Sequence, residues 1–225
     1  MRGHARASGL SGLVFAALFV IALVFVHGAP GLAASDDTYA NFYKNTNGSD
    51  LVTAGLYLVP FAGIAFLWFM AATRTLILGL PNKSSPLPRF LQHASGVLFV
   101  GLLFTGTALV GAVALLTEFS DNPLPSPDIA RALTSAGYGT VFIFGVRAAG
   151  MFLLTTTTLA RSCGLMRPWV AVISYLAGAF LLVSTTFHPV ILLVFPAWVV
   201  LVSVLALVRS RSGNEVEGYR DNGAD

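Results

Sequence analysis

Apolar runs of about twenty residues recur six times along this chain, at residues 10–26, 52–73, 91–116, 138–160, 166–187 and 190–208. Each is long enough to cross a hydrocarbon core of about 30 Å as a helix rising roughly 1.5 Å per residue. The pattern predicts an all-α, polytopic transmembrane bundle of six spans. Only 10% of the residues are charged and 56% are hydrophobic, far from the roughly 25% charged of soluble domains. The excess apolar surface is meant for lipid, so the expected setting is a cell membrane crossed several times.

Orientation follows from the basic residues. With the N-terminus inside, ten of the thirteen Lys and Arg residues fall on the cytoplasmic side, and only Lys44 and Arg131 fall outside. Both termini are then cytoplasmic. The net charge of +3 reflects this placement: the cations are scattered singly at helix ends and make no nucleic-acid-binding face. The first run has a second reading. Met1 to Arg6 resembles the charged start of a signal peptide, and Gly31-Leu32-Ala33 a small-residue cleavage site. A retained span is the expectation; the other five spans keep their orientation either way.

Between the spans, residues 35–50 place Tyr39, Phe42 and Tyr43 on one stripe behind Asp36 and Asp37, as a short interfacial helix would. In the second outer loop, residues 118–136, Ser126 followed by Pro127 is a helix start, and Gly137 and Gly139 allow a bend into the fourth span. Residues 81–88 read as a short rigid inner loop, and residues 209–225 as a disordered polar tail. Pro60 in span two and Pro196 in span six free carbonyls and tend to kink their helices. They do not occupy matching positions in two halves, so the broken-helix symmetry of many secondary transporters is not visible.

The sharpest single feature is Arg147, near the middle of an apolar stretch of about 24 residues without an acidic side chain. A cation at that depth costs roughly 2.5–3.5 kcal/mol on insertion scales. On a helix wheel Thr140 and Thr158 lie within about 20° of it, beside Met151 and Leu154. Gly145 and Ala149 form a small-residue pair next to that face, suited to close helix approach, so Arg147 is expected to face the bundle interior. Its guanidinium should lean toward its own N-terminus, and so outward. Glu118 and Asp121 are the nearest counter-charges by topology. Tyr57, Tyr175, Thr105, Thr107 and the proline-freed carbonyls are neutral acceptors. The candidate binding set is therefore Arg147, Thr140, Glu118, Tyr57 and Tyr175, for an anionic or lipidic group. The competing reading is an arginine that snorkels and is satisfied by protein and water.

Other candidates are weaker. Cys163 is the single cysteine, so no intrachain disulfide or paired-thiol chemistry is available. His4, His27, His93 and His188 lie in the tail or at span ends, where facing haem ligands or a metal spacing are not formed. Thr155 to Thr158 is a run that either bends its helix by back-bonding or lines a polar conduit. Ala108 with Ala112 and Ser174 with Gly178 read as packing pairs. Trp169 reads as an interface anchor, Trp68 and Trp198 as deeper packing or lipid-facing residues. No metalloprotease, serine-hydrolase or phosphate-loop motif is present, and no lysine or carboxylate lies inside a span. The expectation is no catalytic residue, no cofactor and no metal.

The layout from residue 10 to 208 resembles the uncharacterised six-helix integral membrane proteins of bacteria, those of the domain-of-unknown-function type. The likeness rests on the span count, the acidic outer loop after the first span, and the arginine in Gly145-Val146-Arg147-Ala148-Ala149-Gly150. A composition rich in Ala, Gly, Val and Arg with little Lys suits a GC-rich bacterial genome. The resemblance implies no substrate and transfers no catalytic residue. The expected role is a non-enzymatic envelope or partner protein, in contact with lipid and with another membrane protein or further copies of itself. The alternative is a binder or transporter anchored by Arg147.

Overall fold

The computed structural model describes residues 2–44, 48–79, 86–120 and 123–221. Among them the regular structure is entirely helical. The elements are α1 (Arg2–His27), α2 (Asp36–Lys44), α3 (Gly48–Thr53), α4 (Val59–Leu78), α5 (Pro86–Phe119), α6 (Pro127–Tyr138), α7 (Val146–Ser162), α8 (Pro168–Val183) and α9 (Ile191–Asp221). Two π-helical stretches, Ala54–Leu58 and Gly139–Gly145, join α3 to α4 and α6 to α7 without a break. Five rods are long and apolar enough to cross a membrane: Gly3–His27, Ser49–Leu78, Pro86–Phe119, Pro127–Ser162 and Ile191–Val208. The fifth apolar segment, residues 166–187, forms only the 16-residue α8, rising about 24 Å, with Ser184 to His188 non-helical after it.

Local chemistry accounts for most of the boundaries. Ser35 caps α2, its Oγ accepting from the Thr38 amide, and Asp36 and Asp37 follow in the first turn. Pro127 and Pro168 start α6 and α8, where a missing amide hydrogen costs nothing. Helix α7 ends in a Schellman turn: Leu165 and Gly164 donate back to the carbonyls of Ala160 and Arg161, and Gly164 takes the left-handed conformation at φ 69°. Pro60 explains the first π-helical stretch. It has no amide to offer Leu56, and the chain widens just ahead of it, the Val59 amide reaching back to Ala54.

Two expectations are corrected here. Pro86 to Pro88 belong to α5, not to the inner loop, because proline is tolerated in a first helical turn; residues 80–85 lie outside the described residues. The second outer loop is shorter than expected, since α6 continues into α7 as one rod instead of bending away at Gly137 and Gly139. Helix α9 extends from its apolar part to Asp221, into the segment read as a tail.

The core is aromatic. Phe66 of α4 is fully buried, with its ring centroid 5.1 Å from Phe15 of α1, 5.2 Å from Phe99 of α5, 5.1 Å from Phe152 of α7 and 5.5 Å from Phe195 of α9. Most of these pairs are edge-to-face, the arrangement that ring quadrupoles favour. Five rods thus meet on one side chain. Helix α8 is peripheral: it packs on α7 where Gly150 and Gly178 bring the backbones together, and a Cβ on Gly150 would lie 3.0 Å from the Gly178 carbonyl. Its outer face carries Trp169, Val172, Ile173, Leu176 and Phe180, all exposed. Trp68 is exposed likewise, while Trp198 is buried and donates to Ser174 at 2.9 Å.

Candidate functional site

Arg147 is the second residue of α7, immediately after the π-helical stretch of the α6–α7 rod. Its side chain is half-buried and lies in an open-sided groove between α5 and α7, not in the bundle interior. The groove measures about 480 Å³, and apart from Arg147 and Ser95 its walls are apolar: Leu91, Leu98 and Leu102 on α5, Phe144 in the π-helical stretch and Met151 on α7. One hydrogen bond is made by the guanidinium: Nη1 donates to the Ile143 carbonyl, one turn back on its own helix, at 2.7 Å. The lean toward the N-terminus is as expected; the face is not. The neighbouring Ala148 and Ala149 take the core side instead.

The other members of the candidate set are elsewhere. Glu118 is exposed at the end of α5. From Leu102, beside Arg147, to Glu118 is sixteen residues of helix, about 24 Å, beyond the reach of any side chain. Glu118 is therefore not the counter-charge. Asp121 lies outside the described residues. Thr140 bonds back to the Ala136 carbonyl at 2.8 Å and faces Gly106 of α5, above the groove. The wide π-helical turn between Thr140 and Arg147 breaks the 100° phase that would have stacked them. Tyr57 sits exposed in the other π-helical stretch, on α4. Tyr175 meets Thr158 at 3.1 Å on the α7–α8 seam, so these two residues do come together, but apart from Arg147.

Sequence reasoning missed three arrangements. The first is an outer clamp. Arg131 of α6 pairs with Asp36 of α2 and with Asp128, donates to the Ala34 carbonyl at 2.9 Å, and lies 5.1 Å above the buried ring of Tyr39. Burial raises the pKa of Tyr39 against the pull of Arg131, and pushes Tyr43 up to about 12. Opposite charges at positions 36 and 131 were visible, but not their meeting.

The second is an inner polar layer. Ser8 meets Thr73 at 2.7 Å, and the buried Gln92 amide donates to Thr156 at 3.1 Å. In the threonine run, Thr155 and Thr158 back-bond to Met151 and Leu154, as the bending reading requires. Thr157 Oγ1 and Ser203 Oγ are buried without a hydrogen-bond partner. A lone amide in an apolar run was the signal available for Gln92.

The third is a cavity of about 100 Å³ in the outer half of the bundle, enclosed by α1, α4, α5, the α6–α7 junction and the start of α9. Arg147 is not among its walls. The cavity is thus separate from the α5–α7 groove that holds Arg147. Among the described residues no three His, Cys, Asp or Glu side chains converge as a metal ion would need. No family model, no curated protein and no solved structure matches the chain.

Proposed function

We propose that this chain is a six-span protein of the cell membrane, with both termini cytoplasmic, that binds a second membrane protein through the α5–α7 groove. The six-span count includes the short α8. Its crossing keeps Arg161, Arg167 and Arg209 on one side, in line with the bias of basic residues. The observation that carries the binding role is Arg147 itself. A guanidinium has five donors in a fixed fork, and here one carbonyl of its own helix is its recorded hydrogen-bond partner, in a groove open along its length.

Depth decides the kind of partner. Arg147 lies beside Leu98 and Leu102, close to the midpoint of the 34-residue α5. A lipid phosphate would have to leave the headgroup layer and descend most of a leaflet to reach it. A carboxylate on a transmembrane helix is already at that depth, and an Asp or Glu packed against Arg147 would relieve both charges together. A second copy of this chain does not fit, because its ten carboxylates lie in loops, at helix ends or in the tail, and it would oppose one Arg147 with another.

A photo-crosslinking residue at Leu98, exposed on the groove wall, tests the reading; the same residue at Leu176 on the outer face of α8 is the control. Leu98 should yield one defined product whose captured segment is an apolar stretch with an internal Asp or Glu, and Arg147→Gln should abolish it. A product shared with Leu176, a captured segment without a carboxylate, or indifference to Arg147→Gln would sink the proposal.

A further inference from the structure

The outer cavity is a separate site, and its chemistry selects a different ligand. Its walls are Phe19, Leu103, Val110, Phe142 and Leu192 with other apolar side chains, and Thr107, Tyr138 and His27 bring the polar groups. Thr107 does not address the cavity as a free group, since its hydroxyl donates to the Leu103 carbonyl at 2.8 Å. His27 is exposed at the outer end of α1 and stands at the rim. Two wall hydroxyls and a rim imidazole are the whole polar contact on offer, against an otherwise apolar lining that favours an apolar ligand. Water fares no better, because a buried water needs two to four polar partners, and an apolar cavity of roughly 150 Å³ stays dry and takes up benzene or xenon instead.

The shape narrows the choice further. From Phe19 to His27 the α1 wall runs eight residues, about 12 Å, so the space is a shaft and not a bowl. Below it, a slot of about 10 Å³ continues between Phe99, Val146, Leu181 and Phe195, and shares Phe19, Val141 and Leu192 with the shaft. A flat ring system cannot enter such a floor, whereas the end of an unbranched chain can. The shaft ends at exposed His27, where α1 stops and the chain runs on toward α2, so the polar end of an amphiphile would stay at the surface.

We infer that this cavity holds a single unbranched hydrocarbon chain of an amphiphile, entering from the outer side, with its tail against Phe19, Leu103 and Phe142 and its polar end beside His27. The ligand gains close packing against walls that are otherwise without contact partners. Arg147 and the α5–α7 groove play no part in it, so the two sites fail or stand separately.

Hexadecanol carrying a photoreactive diazirine near the end of its chain is the probe, with the full chain reconstituted in phosphatidylcholine nanodiscs. Labelling should saturate, be displaced by unlabelled hexadecanol, and map by mass spectrometry to Leu103, Val110 and Phe142. Ala22→Phe, which adds bulk from a buried position in the cavity wall, should cut the saturable labelling at least tenfold while labelling at exposed Trp68 and Leu176 stays unchanged. Should that variant fail to fold, Leu103→Ala serves instead: it enlarges the shaft and should raise saturable labelling severalfold. Labelling that never saturates, that spreads evenly over the exposed faces, or that ignores both substitutions overturns the assignment.

Discussion

Arg131 and Arg147 stand sixteen residues apart on the same helical rod, in two regions built on opposite chemistry. At the outer clamp Arg131 has two carboxylates, a carbonyl and an aromatic face, drawn from α2, α6 and the segment between α1 and α2. In the groove Arg147 has one carbonyl from its own helix and a wall of leucines. The first arginine is a staple: everything it needs is in the chain, and it ties α2 down over the bundle. The second sits between apolar walls, with no counter-charge among the described residues. A satisfied cation explains a fold; an unsatisfied one points outside it.

The two regions share one wall, and breaking that wall should have the largest effect. Gly137, below the clamp, crosses α5 at Gly106 so closely that a Cβ would lie 2.6 Å from the Gly106 carbonyl and 3.1 Å from the Val110 amide. Backbone cannot move aside as a side chain can. Gly137→Val should therefore cost about 3 kcal/mol or more through overpacking, and should loosen both the α2 clamp and the α5–α7 groove. Gly139→Ala, two residues on with nothing within 4 Å of its added Cβ, should leave the melting temperature in detergent essentially unchanged. Equal behaviour of the two variants would remove Gly137 as the common pivot.

Next in size is the clamp alone. Arg131→Met removes an ion pair, a carbonyl bond and a cation–π contact. Its partner Asp36 is largely exposed, so the ion pair itself contributes little, and the loss should be clearly smaller than that of Gly137→Val. Limited proteolysis around α2 should accelerate with the loss of stability. Arg131→Lys should recover only part, because a single ammonium nitrogen cannot fork between Asp128, met by Nη1, and Asp36 with the Ala34 carbonyl, both met by Nη2. Arg147→Met should behave in the opposite way: the isolated protein keeps its stability within about 0.5 kcal/mol, or gains some, while the crosslink from Leu98 disappears. A large stability loss in Arg147→Met would make it a second staple and end the contrast.

What the sequence made legible follows the same division. Helix starts at Ser35, Ser126 with Pro127, and the apolar rods themselves were readable, because each rests on neighbours in the chain. The lean of Arg147 toward its own N-terminus was readable for the same reason. Its face was not. A helix wheel assumes a constant 100° per residue, and the stretch Gly139–Gly145 departs from it one turn before Arg147. The clamp joins residues 95 positions apart, and the cavity is enclosed by five elements. Such meetings depend on how rods pack, which periodicity along one rod does not encode. The short α8 was misjudged in length for a related reason: a hydropathy window averages Ser184 to Phe187 with the apolar run before them, although these mostly polar residues end as non-helical chain.

The smallest expected effect separates clamp from groove by pH. Tyr43, packed beside Phe42 at 5.1 Å between ring centroids, has its pKa pushed up to about 12 by burial and by its neighbours Tyr39 and Tyr138, from an ordinary value of 10.0. Between those two values the unfolded chain binds fewer protons than the folded one, so stability falls as pH rises. Below about pH 10 the contribution is fully present, and it is lost as the pH climbs through the folded value. The melting temperature should accordingly be flat across neutral and mildly alkaline pH, then decline above about pH 10. Tyr43→Phe has no phenol to ionise and should move the onset of that decline upward, whereas Arg147→Met should leave it where it is. If Tyr43→Phe and the unaltered protein decline in parallel, the alkaline weak point lies elsewhere than under α2.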